Sequence, residues 1–251
     1  MSLAAREQGK PAAGLTLQAL AITVYLALAF PFLTGFIGYT ISSAPDADDF
    51  SRAVGGGLLL AAKTLALASF LYHFCRRDGL ADAHFGWPEP ARRSLRHNVL
   101  WVTQLLMPLS FVVGMSEIEG QALYYNSLGR FASIAGLVGL AVFFGRLLRP
   151  SGAIGHFLRE RHSQDWVFRL RHLWSLALVG TPLVLAGLSA AGYHYTASVL
   201  QSRYHATLLL LLCLSLAHGL VTKWISSARR RLAHPGDPDS ARQKEDPSTP
   251  Q

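Results

Sequence analysis

The chain has 251 residues, 51% of them hydrophobic and only 15% charged, with a net charge of +8. Apolar residues at that density, gathered into runs of about 20, exclude an ordinary soluble domain and point to a multi-span membrane protein. The positive charge flanks those runs, where anionic headgroups account for it and a nucleic-acid partner is not needed.

A short basic segment, 1–14, leads into the first predicted helix over 15–41, which carries Pro31. That run is far longer than the apolar region of a signal peptide and has no convincing cleavage site after it, so a retained helix is expected. Further predicted helices cover 53–74, 98–115 with Pro108, 128–148, 173–192 with Pro182, and 206–225. At about 1.5 Å per residue each is long enough for a hydrocarbon core about 30 Å thick. Strands cross such a core only as a closed barrel, so the expected fold is all-α, six transmembrane helices filling 15–233. After Arg231 the composition turns to proline, glycine and charged residues, and 234–251 is expected to be a disordered tail.

Basic residues sort by loop. Of 23 lysines and arginines, only Arg52, Arg130 and Arg203 fall in or beside the second set of alternating loops, and only Lys63 falls deep inside a span. The rest precede the first span, separate spans two and three, separate four and five, or follow the sixth. By the positive-inside rule both termini are expected in the cytoplasm. The opposite loops are short and acidic, with Asp46, Asp48 and Asp49 in one and Glu117 and Glu119 in another.

An internal repeat organises the spans. Arg96-His97-Asn98-Val99-Leu100-Trp101 resembles Arg169-Leu170-Arg171-His172-Leu173-Trp174, and each tryptophan precedes a proline, Pro108 or Pro182. At the same offset Arg76-x-x-Gly79 matches Arg149-x-x-Gly152, and both lead to a His-Phe pair, His84-Phe85 and His156-Phe157. With Pro31 as the first of the series, the chain reads as three consecutive helical hairpins, each with a proline-bearing arm followed by a proline-free one. Tryptophan and arginine also recur at any membrane interface, so interface chemistry alone is the competing account. Between spans four and five, Ile154, Phe157, Leu158, Trp166, Leu170, Leu173 and Trp174 leave an apolar side on an arginine-rich segment. That segment is either a helix lying in the interface or a plain basic connector.

Catalytic chemistry has no foothold here. Every aspartate and glutamate falls in a loop or tail, so no span carries a proton relay or a carboxylate metal site, and no catalytic, cofactor or metal residue is expected. Lys63 is the one charge near a midplane and should face a neighbouring helix or water rather than lipid. His73 and His218 are the only histidines placed to pair on a haem. Cys75 and Cys213 are isolated and form no disulfide or zinc pattern. Gly55-Gly56-Gly57, Gly136, Gly139 and the run Ala186 to Gly192 offer small surfaces for close helix approach.

The stretch Gly192-Tyr193-His194-Tyr195-Thr196-Ala197, followed by an apolar helix and Lys223-Trp224-Ile225-Ser226-Ser227-Ala228-Arg229-Arg230-Arg231-Leu232-Ala233, carries a family resemblance. So does Cys75-Arg76-Arg77-Asp78-Gly79-Leu80-Ala81-Asp82-Ala83-His84-Phe85-Gly86-Trp87. Over roughly 15–233 the chain resembles the inner-membrane sensor region of the large mechanosensitive channels of the MscS type, in the potassium-dependent MscK-like branch. The resemblance implies a bacterial inner-membrane, multi-pass domain that passes lateral tension to a pore under osmotic stress, as a homo-oligomer where it is joined to one. It marks Trp87, Gly192, Tyr193 and Tyr195 as candidate structural or gating residues beside Pro31, Lys63, Pro108 and Pro182. The family's glycine- and alanine-rich pore helix and β-rich vestibule are not found in this sequence. A hairpin-repeat transporter with a polar site near Lys63, Thr64 and Gln104, or a membrane scaffold, is the alternative.

Overall fold

The computed structural model describes residues 12–76, 81, 87–118, 125–149, 152 and 171–233, with side chains placed from residue 21 onward except at a few helix ends. The segment 153–170, the His-Phe pairs, Glu119 and the tail 234–251 lie outside the described residues.

Among the described residues all regular structure is helical. The helices are α1 (Ala12–Ser42), α2 (Asp49–Phe74), α3 (Glu89–Ile118), α4 (Arg130–Leu147), α5 (Arg171–Ala190) and α6 (His194–Ala233), with a π-helical turn, Tyr125–Gly129, leading into α4. Six stretches within them are long and apolar enough to cross a membrane. A bilayer core offers backbone groups no water, and a helix satisfies them within its own segment, which is why these sequences take this form.

Two helices begin well before their apolar runs. α3 starts at Glu89, not near 98, because Ala91, Leu95, Val99 and Val102 form one continuous buried stripe. Their spacing is helical, but Arg92, Arg93 and Arg96 between them hide it from any count of hydropathy. α6 starts at His194, not near 206, for a related reason: Gln201 and Arg203 dilute the apolar average while the backbone ladder runs on.

Each helix packs against its successor in the chain, and α6 also reaches α1. The acidic turn between α1 and α2 is closed by Asp48, whose side chain accepts a 2.9 Å hydrogen bond from the Ser51 N–H and caps α2. Those hydrogen bonds hold its carboxyl below the ordinary value of 3.8. At the opposite, basic end, a core of Phe74, Cys75, Ala81, Leu95, Val99 and Phe143 ties α2, α3 and α4 together, with Leu216 of α6 laid against it. A smaller cluster, Leu137 with Leu185 and Ala186, joins α4 to α5.

Packing is uneven. Large apolar side chains project outward along α1, with Tyr25 77% and Phe30 and Phe32 each 73% exposed, and the most apolar stretch of α6 buries no residue at all. In water such a surface would drive aggregation, whereas in a bilayer it is the solvent-facing surface.

Candidate functional site

The glycine triplet of α2 is where three helices converge. Gly55 lies against α1, where a Cβ would stand 2.6 Å from both the Gly38 carbonyl oxygen and Ser42 Cβ. Gly57 lies against α3, where a Cβ would meet the Phe111 carbonyl oxygen at 2.7 Å. The approach is mutual, since a Cβ on Gly114 of α3 would sit 2.8 Å from the Gly56 carbonyl oxygen. α1, α2 and α3 thus meet backbone to backbone, as small residues permit in membranes, where close packing replaces the hydrophobic drive between helices. The sequence showed a small surface at 55–57 but not that its glycines face two different partners.

The three prolines sit in three different environments. Each is inside a continuous helix, Pro31 in α1, Pro108 in α3 and Pro182 in α5. Pro31 is buried, Pro108 is exposed, and Pro182 is among the most completely buried side chains. Each removes the N–H that the carbonyl four residues earlier would accept from, and each ring crowds that carbonyl outward. In α5 that carbonyl belongs to Leu178, and it accepts a 2.9 Å hydrogen bond from the Tyr204 hydroxyl of α6.

Between α5 and α6, Gly192 takes φ +105°, in the left-handed region that glycine enters without a Cβ penalty. The Gly192 N–H reaches the Ser189 carbonyl at 3.2 Å and the Tyr193 N–H reaches the Leu188 carbonyl at 3.1 Å, a Schellman cap. Tyr193 and Tyr195 then point outward, 63% and 75% exposed, while His194 between them is buried. Its Nδ1 is 2.9 Å from the hydroxyl of Ser189, which is wholly buried. The sequence drew attention to the tyrosines, yet the turn is anchored by the histidine. Nearby, Arg130 Nη2 donates to the Ala190 carbonyl at 2.6 Å, binding the start of α4 to the cationic-favouring C-terminus of α5. Ser133 of α4 donates to Gln201 of α6 at 2.9 Å.

The basic end is organised by aromatic rings. Arg96 donates to the Tyr72 hydroxyl at 2.6 Å with its guanidinium 4.4 Å from the ring centre, and Arg146 lies 5.6 Å from the centre of Trp101. Trp87 meets Phe74 edge-on at 6.2 Å, and its backbone N–H donates to the Ala81 carbonyl. Trp174, the repeat partner of Trp101, is exposed on α5. Cys75, beneath these groups, is 2% exposed, and burial pushes its thiol up to about 11 against the opposing pull of Arg96 and Arg92. Thiolate is the reactive form, so iodoacetamide at pH 8 should label Cys75 at least tenfold more slowly than a free cysteine. Mass spectrometry of the folded chain in lipid checks this, and labelling at the rate of a model thiol would refute the buried placement.

Lys63 is exposed on α2, and its charge acts on Glu117 at the far end of α3. His73 is half-buried, with Nδ1 2.8 Å from the Ser69 carbonyl, and His218 is exposed. Among the described residues no three histidine, cysteine or carboxylate side chains gather where a metal could sit. What the arrangement provides is a backbone seam, a proline whose freed carbonyl is bonded by another helix, and a capped turn.

A family described as the mechanosensitive ion channel inner membrane domain 1 matches residues 8–246, which takes in all six helices. The chain belongs to that family. It is a multi-pass, inner-membrane region of the mechanosensitive channel type, as the resemblance carried by Cys75–Trp87 and Gly192–Ala233 implied. Among curated relatives, it is 30% identical over 220 residues to the miniconductance mechanosensitive channel MscM of Escherichia coli (strain K12), covering 87% of this chain and 19% of that protein. It is 27% identical over 177 residues to the mechanosensitive channel MscK of the same organism, covering 68% of this chain and 15% of that protein. The chain therefore spans less than a fifth of the length of either relative. No solved structure matches it.

Proposed function

We propose that these six spans are the tension-responsive membrane region of a mechanosensitive ion channel that releases osmotic stress. In this reading both termini lie in the cytoplasm, the spans run as three consecutive hairpins, and the arginines of the basic end hold anionic headgroups. Ion passage belongs to the assembled channel, in which several copies of this region surround the pore. The membrane region itself performs no catalysis.

The observation that carries the reading is the family match over 8–246. The graded packing supports it: α1 to α3 are joined backbone to backbone, while α6 leaves its most apolar stretch to the lipid. A bilayer that thins or spreads does work on helices free to tilt, at fractions of a kcal/mol per Å of mismatch. Summed over several helices and several copies, that work biases a two-state pore.

The test is patch-clamp recording of a full-length channel carrying this region. Pro182→Ala should straighten and stiffen α5 and raise the tension threshold. A shift of about 1.4 kcal/mol would lower the open-to-closed ratio about tenfold at fixed tension. Pro108→Ala should act in the same direction but less, because Pro108 is exposed and Pro182 is enclosed. Unchanged thresholds in both variants would refute a tension-responsive role for the proline-bearing arms.

A further inference from the structure

We infer that the Tyr204 hydroxyl is a latch that holds α6 to α5 one turn before Pro182, giving the Leu178 carbonyl the hydrogen bond that Pro182 withholds. Four residues separate Leu178 from Pro182, so in an uninterrupted helix the N–H at 182 would bond the carbonyl at 178. Proline has no such N–H and tilts that carbonyl away from the axis. In a bilayer interior bulk water is not there to replace the missing donor, and a side chain from a neighbouring helix is one of the groups that can. Tyr204 does so across the helix boundary at 2.9 Å. The donor comes from α6, whose most apolar stretch has no fully buried residue, and the Pro182 ring is fully enclosed.

The rest of α6 shows why this bond has leverage. His194, Ala197, Gln201 and Tyr204 recur at three- and four-residue spacing and form the side of α6 turned to the bundle. Each polar member of that stripe has its own tie: His194 to Ser189, Gln201 to Ser133, and Tyr204 to the Leu178 carbonyl. Tyr204 is the tie farthest from the capped turn at Gly192. Beyond it α6 is held to the bundle by apolar contact alone, Leu216 lying against the core of α2, α3 and α4, so releasing the bond leaves the polar ties of α6 confined to its start. Tyr204 is thus a positioning residue, acting on the angle between α5 and α6 through a backbone carbonyl. Its use in gating rests on the tension-responsive reading, but the bond itself does not.

The experiment is a double-mutant comparison on the whole chain in lipid nanodiscs, with Cys75 and Cys213 replaced by serine and spin labels on α5 and α6 beyond the latch. Tyr204→Phe keeps the ring and removes only the hydroxyl. With Pro182 present it should broaden and lengthen the inter-helix distance distribution. In Pro182→Ala the alanine N–H takes over the Leu178 carbonyl, and adding Tyr204→Phe should then change nothing further. Isotope-edited infrared spectroscopy of a labelled Leu178 carbonyl supplies an independent reading on a single substitution. Its amide I band should move to higher frequency in Tyr204→Phe, as expected for a lost hydrogen bond. An unmoved band, an unchanged distance distribution, or an equal effect of Tyr204→Phe in both backgrounds would overturn the latch. Each of these can fail while the tension thresholds still shift, so the two ideas are judged separately.

Discussion

Gly57→Leu should prise α3 from α2 and lower the stability of the chain by about 1–3 kcal/mol, as overpacking a closed site does. The obstacle is main chain: the first added carbon already falls 2.7 Å from the Phe111 carbonyl oxygen, and no rotamer of a neighbour can make room. Four leucine carbons in that place require the helices to separate. Gly187→Leu is the control, since nothing lies within 4 Å of its would-be Cβ and the same substitution there extends into open space. Equilibrium unfolding in bicelles compares the two. Equal losses at 57 and 187 would mean that the seam between α2 and α3 is not closed.

The turn into α6 yields the second large effect. Gly192→Val places a β-branched residue at φ +105°, where Cβ crowds the backbone at about 1–2 kcal/mol for an ordinary residue and more for a branched one. The Schellman bonds to Ser189 and Leu188 should open with it. Faster amide exchange at residues 192 and 193, together with lower stability, is the expected result. Gly192→Asn should be milder, because asparagine enters the left-handed region more readily. If valine and asparagine behaved alike, the positive φ would not be what fixes glycine at this position.

The six spans were legible because apolar length is a coarse and redundant signal. Where α3 and α6 begin was not, and the cause differs in the two cases. In α3 the buried stripe from Ala91 is interleaved with arginines that lower the average without interrupting the helix. In α6 the polar residues Gln201 and Tyr204 lie within the helix because they bond to other helices, and hydropathy scores them as if they faced water. The candidate residues divide along the same line. Pro182 was recognisable because proline always has a backbone meaning, whereas Gly192 drew notice through the family motif, and its left-handed turn was not foreseen. Tyr193 and Tyr195 drew notice through the family motif, yet the buried member is His194, whose partner Ser189 lies five residues away across a turn. A usable clue to Tyr204 did exist: proline in a span leaves a carbonyl needing a donor, and Tyr204 continues the spacing of His194, Ala197 and Gln201. Which helix would offer that donor depends on how α5 and α6 cross, and spacing along one chain does not encode that.

The glycine contacts among α1, α2 and α3 have a consequence for how force would travel. Side chains that interdigitate can change rotamer and let two helices creep past one another. Where Gly38, Gly55, Gly57 and Gly114 bring main chain against main chain, there are no rotamers to change. Shear at that junction is resisted by bonded backbone, and interfaces packed in this way are bistable rather than continuously deformable. Under load, α1, α2 and α3 should therefore travel as one plate, and the first strain to appear anywhere in the chain should appear outside it.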